Sequence, residues 1–381
     1  MAEGSAAAGP SPRARAWAHT MAGHADAGLV RAHAGSRAEL GPGPFVDREL
    51  REHRERETLR PGAALAVGAG HRAVPEAPDP ERTCFERDRD RIVHSTAFRR
   101  LAGKTQVVVH PSDHQRTRLT HALEVAQVAT SIARGVGVNV SLAEAIALGH
   151  DCGHGPGGHA SEDAFDLFVA EGYDHGPWGA DVVLAGQNLC RETLDGIRNH
   201  SWSRPPPTTV EGEIVSWADR IAYCAHDLED AVHAGIVAAD DLPDSVVAVA
   251  GRTRREQLST FVRAVVRGVS EHGEVGMPPA EATALAHLRA FNYERIYVRP
   301  ESLAQSQAVV EVLQALVGWY AEHPDALPFT ARPEDVSGSA EAVRAAVSYV
   351  AGMTDRYAFE MAVHHLAWPR DRLPRGIDQQ T

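Results

Sequence analysis

From about residue 80 nearly to its end, the chain repeats apolar side chains at intervals of three and four, the spacing of one helix face. Strand-like alternation is scarce, and its best candidate is Gln106 to His110. Between Thr117 and Arg134 the apolar positions are Leu119, Ala122, Leu123, Ala126, Ala129, Ile132 and Ala133, with His121 among them. Ser141-Leu-Ala-Glu144 has the form of a capping box, which predicts a helix running through the almost wholly apolar Leu142 to Leu148. A helix apolar all round is a buried one. Ala160 to Glu171 reads as a shorter amphipathic helix closed by Gly172. After the Pro205-Pro206-Pro207 break, Thr208-Thr-Val-Glu211 looks like a second capping box. It opens a helix to about Val232, with a core stripe at Ile214, Ala218, Ile221, Ala225, Leu228 and Val232. Residues 251 to 268, 279 to 296, 302 to 320 and 339 to 365 predict further helices joined by Gly/Pro/Asp-rich turns, and there is no internal repeat.

The expected organisation is all-α. Residues 1–44, rich in Ala, Gly, Pro, Ser and Arg, read as a disordered tail whose His19, His24 and His33 are solvated. Residues 45–80 are an N-terminal helix of alternating charge and a proline-bearing linker, 81–250 a helical core, and 251–381 a C-terminal helical extension.

Chemistry concentrates in Leu148-Gly-His-Asp-Cys-Gly-His-Gly-Pro-Gly-Gly-His-Ala-Ser-Glu162, where three histidines, an aspartate and a glutamate surround a helix break. His150 and Asp151 would stand at the end of a buried helix. That is costly unless something neutralises the carboxylate, and a divalent cation does so. The glycines that follow let backbone approach a ligand, but they are not a P-loop, because no Lys-Ser/Thr pair follows them. An isolated His-Asp pair is more simply a helix-end histidine beside a capping carboxylate. Its company changes the reading.

On the helix from 211 to 232, Asp219, Tyr223, His226, Asp227 and Asp230 fall within a sector of about 100° beside the core stripe. The bland alternative is a solvated acidic face. His121 shares a helix face with Arg118, and alone it would be an ordinary core histidine. Together His121, His150, Asp151 and Asp219 form a two-imidazole, two-carboxylate set suited to Mg²⁺ or Mn²⁺, with Co²⁺, Ni²⁺, Fe²⁺ and Zn²⁺ also compatible.

Composition narrows the partners. A net charge of -13 over 381 residues argues against a general nucleic-acid coat, yet leaves room for a small anion held by a few arginines. Four scattered cysteines with no C-x-x-C pair indicate neither a disulfide framework nor a zinc ribbon. No apolar run approaches a membrane span and the N-terminus lacks a signal-peptide core, so a cytoplasmic protein with no membrane partner is expected. Lys104 is the only lysine among the 38 Lys and Arg residues, either by chance in an arginine-biased chain or because a compact ammonium is wanted there.

The order His…His-Asp…Asp resembles the HD-domain phosphohydrolases, and the flanks narrow the resemblance. Arg87-Asp-Arg-Asp-Arg-Ile-Val-His-Ser-Thr-Ala-Phe-Arg-Arg-Leu101, Lys104-Thr-Gln-Val107, Arg116-Thr-Arg-Leu-Thr-His-Ala-Leu-Glu-Val125 and Ala218-Asp-Arg-Ile-Ala-Tyr-Cys-Ala-His-Asp-Leu-Glu-Asp230 are similar to the bacterial deoxyguanosine triphosphate triphosphohydrolases over roughly residues 48 to 300. The resemblance implies an HD helical fold over the 81–250 core and a metal held by His121, His150, Asp151 and Asp219. It also implies a His159–Glu162 dyad at the reaction centre. Gln106 and Asp227 would then contact the deoxyribose 3′-hydroxyl, Tyr223 would pack where a 2′-hydroxyl would fit, and Arg118 and Arg220 would hold the triphosphate. The implied products are a deoxynucleoside and intact triphosphate. Chemistry supports the dyad: cleavage at the α-phosphorus needs an acid for the departing 5′-oxygen, and a histidine oriented by a carboxylate serves near neutral pH.

Some features lie outside the pattern. Gly155-Pro156-Gly157-Gly158-His159 lacks the aromatic usual before its last glycine, which predicts a looser wall, and His154 is either a site contact or a helix-end cap. Tyr293-Glu-Arg-Ile-Tyr297 looks family-like without an assigned role. In relatives, helical extensions carry oligomer contacts and effector sites, so a homo-oligomer and an effector nucleotide or single-stranded DNA are among the expected partners. Rival readings are an HD nucleotidase or phosphodiesterase, which would release orthophosphate or pyrophosphate, and a nucleotide-sensing regulator without turnover.

Overall fold

The computed structural model describes residues 9–26, 28–37, 40–107, 115–328 and 336–375. Two compact units emerge, Met1–Val46 and Asp47–Thr381. In the first, where composition predicts no regular structure, α1 (Pro12–His19) forms because Ser11 Oγ accepts from Ala14 N and Pro12 opens the helix. A short antiparallel pair follows, β1 (His24–Asp26) with β2 (Leu29–Arg31). None of the residues of α1 is buried, so local capping rather than packing holds it.

The second unit is helical throughout its described residues. Its elements are α2 (Arg48–Thr58), α3 (Cys84–His94), α4 (Thr96–Arg100), α5 (Arg118–Val136), α6 (Val140–Gly149), α7 (Ala160–Asp166), α8 (His175–Trp178) and α9 (Arg191–Asn199). They continue as α10 (Val210–His233), α11 (Asp244–Ala250), α12 (Arg254–His272), α13 (Pro279–Asn292), α14 (Pro300–Glu322), α15 (Ala340–Ala351) and α16 (Asp355–Leu366). Helices α5, α6 and α10 pack on one another, α3 and α9 cover α6, and their apolar faces make one core that includes Ile92, Val125, Ile132, Leu142, Ile146, Ile214 and Ile221. A second core joins α7 to α14, α15 and α16 through Phe165, Val309, Leu313, Leu316, Val347 and Phe359.

Helix boundaries differ from the predicted ones for local reasons. The cap of α6 is Asn139 rather than Ser141: its Oδ1 accepts from Leu142 N (3.2 Å) while its amide donates to Ala64 O (3.0 Å). Glu144 faces Arg89 instead. Thr209, not Thr208, caps α10, which leaves Glu211 free to turn inward. Buried there, Glu211 accepts from Ala64 N (3.1 Å) and Asn139 N (2.9 Å) and ties the 61–80 segment and the start of α6 to α10. Helix α7 stops at Asp166, whose carboxylate accepts from Tyr173 N, and the span predicted over 339–365 breaks into α15 and α16 where Thr354 caps the latter. Of the strand candidate Gln106–His110, residues 108–110 lie outside the described residues, and next to it Thr105 makes a single antiparallel bridge with Thr117.

All four cysteines are free and buried. Among the described residues no helix is long and apolar enough to cross a membrane. Asn139→Ala removes both the α6 cap and its tie to Ala64. Chemical denaturation at an unchanged slope is expected to show a loss of about 1–2 kcal/mol, and an unchanged midpoint would contradict the cap assignment.

Candidate active site

Three helices deliver the central side chains. His121 lies one turn into α5, His150 and Asp151 follow directly on the end of α6, and Asp219 lies in the first half of α10. His121 Nε2 is 3.1 Å from Asp219 Oδ1, and His150 Nε2 is 3.7 Å from the same oxygen and 3.4 Å from Asp151 Oδ1. His150 Nδ1 lies 2.7 Å from Ala147 O, which orients the ring and turns the buried Nε2, without a hydrogen-bond partner, toward the carboxylates. His121, His150 and Asp219 offer donor atoms close enough to hold one ion, and the mixed imidazole and carboxylate set fits a divalent cation.

Beyond this cluster stands a second row of histidines. His154, which the sequence leaves undecided between site contact and cap, is buried 3.3 Å from Asp151 Oδ1, with neither ring nitrogen hydrogen-bonded. Its ring stacks on His175 at 3.8 Å between centroids. His175 reaches the site because Gly153 allows it: a Cβ at Gly153 would lie 1.9 Å from His175 O. Glu162 bridges two histidines, one oxygen 2.6 Å from His159 Nδ1 and the other accepting from the Nδ1 (2.7 Å) and backbone N–H of His175. His200 donates from Nδ1 to Ile197 O and turns Nε2 to within 3.0 Å of His175 Nε2.

Of these groups His121, Asp151, His154, His159, His175, His200 and Asp219 border a cavity of about 450 Å³ that also takes in Gln106, Arg118, Trp202, Arg220, Tyr223, Asp227, Arg289 and Tyr297. Arg118 is almost fully buried. One Nη donates to Asp151 (2.7 Å), while Nε and the other Nη have no partner. Arg220 lies flat on Trp202, 3.3 Å from the ring centroid, with a buried unpartnered Nε. Tyr223 OH accepts from Arg289 Nε (2.9 Å), and Tyr297 OH donates to Asp227 Oδ2 (2.6 Å), leaving Asp227 Oδ1 free. Nine of the eleven residues expected from the sequence line this cavity; His150 and Glu162 do not, and touch it only through Asp151 and His159. The α10 sector divides: Asp219, Tyr223 and Asp227 line the cavity, whereas Asp230 is bound by Arg116 and His226 faces Glu124. Where a looser wall is predicted at Gly157, α14 closes it, since a Cβ there would lie 2.4 Å from Val309 Cγ1.

Most of the chain is similar to known proteins. The HD domain matches residues 118–224 and the phosphohydrolase-associated domain residues 275–364. A deoxyguanosinetriphosphate triphosphohydrolase-like protein of Caldanaerobacter subterraneus subsp. tengcongensis is 40% identical over 319 residues, covering 82% of this chain and 93% of that protein. Proteins of the same description from Desulfatibacillum aliphaticivorans (38% over 334 residues; 82% and 95% covered) and Clostridium perfringens strain 13 (37% over 325; 81% and 94%) are also similar. The chain belongs to the deoxyguanosinetriphosphate triphosphohydrolase-like family of HD-domain phosphohydrolases. Its HD segment starts at Arg118 and contains His121, His150, Asp151 and Asp219, and its associated segment contributes Arg289, Tyr297 and Val309 to the cavity wall.

Electrostatics in this HD site are dominated by burial and its compensation. Burial opposes ionisation of Asp151, but Arg118 and the neighbouring histidines outweigh it and hold the carboxyl well below the usual range. Burial likewise works against Glu162, and His159 and His175 overcome it in the same sense. His175 is raised, burial notwithstanding, by Glu162. His200 is pushed down to about 3 by burial and by His175 and His150. Asp227 goes the other way: burial lifts it to about 7, despite the Tyr297 hydrogen bond.

Because the folded-state pKa of Asp227 lies above its unfolded value of 3.8, the folded state retains a proton that the unfolded chain releases between roughly pH 4 and 7. This group therefore erodes stability as pH rises through that window. Asp227→Asn is expected to gain on wild type by about 1.4 kcal/mol per pH unit between pH 4 and 7 and no further above it. Unfolding free energies across that range check this, and a constant difference would rule out the raised carboxyl.

Proposed function

We propose that the chain hydrolyses deoxynucleoside triphosphates at the α-phosphorus, releasing a deoxynucleoside and inorganic triphosphate. The observation that carries this reading is the concentration of buried, unpartnered polar atoms around one cavity: Arg118 Nε and Nη2, Arg220 Nε, His150 Nε2, both ring nitrogens of His154, Gln106 Oε1 and Asp227 Oδ1. Native interiors rarely leave such groups unpaired, so their convergence marks a ligand that is anionic at one end and hydroxylated at the other.

In this reading His121, His150, Asp151 and Asp219 hold one divalent cation, with Mn²⁺ and Mg²⁺ first among the candidates. Such a cation supplies positive charge for non-bridging phosphate oxygens and an acidified water at neutral pH. Arg118 uses one N–H to fix Asp151 and presents its remaining N–H groups to the phosphates. Arg220, stacked on Trp202, does the same from α10. His159 carries the proton to the departing 5′-oxygen from Nε2, because Glu162 occupies its Nδ1. The 5′-oxygen leaves with that proton, and the oxygen of the attacking water stays on the α-phosphorus of triphosphate.

At the other end, Gln106 Oε1 accepts from the 3′-hydroxyl, and the Asp227 carboxyl, when protonated, donates from Oδ1 to the hydroxyl oxygen. Tyr223, braced by Arg289, fills the space beside C2′. A site built this way selects deoxyribose by exclusion.

The test is product analysis with each of the four dNTPs, and GTP as the ribose control, using metal-loaded wild type, His150→Ala and Tyr223→Ala. Triphosphate is expected from dNTPs and not GTP. His150→Ala should lose at least about 10³-fold in turnover, and Tyr223→Ala should narrow the gap between dGTP and GTP by about tenfold or more. Release of orthophosphate or pyrophosphate as the first product would overturn the reading.

A further inference from the structure

The turn that carries His159 is held by two buried ionic side chains with no place in the chemistry above. Asp355 opens α16. Its Oδ1 accepts from Gly157 N (2.8 Å), and its Oδ2 from Thr105 N (2.9 Å) and Thr105 Oγ1. Lys104 donates from Nζ to Ala351 O (2.9 Å), at the end of α15, and to His154 O. Both side chains are buried, with relative exposures of 4%.

Burying a carboxylate and an ammonium is expensive, and apolar residues would join two helices at lower cost. Here the charges are spent on main-chain groups, the carbonyl of 154 and the N–H of 157, which bracket the turn just before His159. Gly157 itself adopts φ +73° and rests on Val309, so the turn has little freedom once these anchors are made. The identity of residue 104 fits the same purpose. It is the one lysine in a chain whose other basic residues are arginine, and a compact ammonium can sit between two carbonyls where a planar guanidinium cannot.

We propose that Lys104 and Asp355 are positioning residues, through which α15 and α16 set the turn from His154 to His159, so that turnover requires these helices to stay docked. The consequence for turnover rests on the dNTP hydrolysis reading above; the docking itself does not.

The experiment uses the full chain with Asp355→Ala, assayed well below its unfolding temperature. Three quantities are read: kcat and KM for a dNTP, the rate at which an amine-reactive ester acylates Lys104, and amide hydrogen exchange in the peptide spanning 153–162. Lys104 is the only lysine, so acylation at that side chain reports undocking at a single position. Displacing the turn by about 1 Å predicts a kcat loss of about 10- to 100-fold, with KM within about threefold and metal content unchanged. Lys104 acylation and exchange across 154–159 should both rise at least about tenfold. Asp355→Asn, which keeps one acceptor oxygen, should fall between wild type and Asp355→Ala on all three. Lys104→Met should reproduce the kcat and exchange changes, and it carries the test should Asp355→Ala not fold.

A kcat within twofold of wild type, or exchange across 154–159 no faster than in wild type, would overturn the proposal. So would parallel loss of kcat, KM and bound metal, which is the signature of general loosening. If wild type turns over no dNTP, the preceding reading fails on its own, while acylation and exchange still decide whether Lys104 and Asp355 set the turn.

Discussion

The charge balance around Asp151 is the constraint on which the rest depends. A carboxylate almost wholly removed from water stands at the end of an apolar helix, and an uncompensated ion there would cost several kcal/mol. Arg118 meets it directly at 2.7 Å, and the imidazoles of His150, His154, His175 and His121 stand within 4.0 Å. The partners come from the start of α5, the end of α6, the turn after it and the start of α8. Packing α5 on α6, admitting α8 past Gly153 and fixing the start of α6 through Asn139 and Glu211 are all conditions for satisfying one carboxylate. The hydrogen bonding is only partly satisfied, since Arg118 Nε, one Arg118 Nη and His150 Nε2 have no hydrogen-bond partner. What stabilises the fold therefore also leaves polar groups without hydrogen-bond partners beside a cluster that could hold a metal ion.

Much of this was legible in the sequence because it is short-range. His150 and Asp151 are neighbours at a helix end, His159 and Glu162 share a turn, and the spacing of Asp219, Tyr223 and Asp227 puts them on one side of α10. The all-α class followed from periodicity, and family resemblance supplied the roles. Arg116, conspicuous in the same motif as Arg118, is instead a clamp from the start of α5 to α10, bound by Glu124, Glu229 and Asp230. The acidic face of α10 was thus not solvated.

What escaped the sequence is long-range or loop-borne. His175 and His200 sit at the start of α8 and just after α9, where no period points at the cavity. Tyr297 and Arg289 brace Asp227 and Tyr223 from nearly 70 residues away. Asp355 meets Thr105 across 250 residues, a contact made only when α14, α15 and α16 fold back over the turn. Capping was misjudged where two residues competed for one helix start, because the winner was set by tertiary partners: Asn139 by Ala64, and Thr209 by the inward pull on Glu211.

On the dNTP hydrolysis reading proposed above, the site divides its labour between a cationic end for the phosphates and a hydroxyl-reading end for the nucleoside. Which bond breaks is the claim that unites the two. Hydrolysis of a dNTP in H₂¹⁸O, with both products resolved by mass spectrometry, addresses it directly. One ¹⁸O in inorganic triphosphate and none in the deoxynucleoside would place the attack at the α-phosphorus with departure of the 5′-oxygen. Label in the deoxynucleoside, or in orthophosphate or pyrophosphate released beside a nucleotide, would contradict the account.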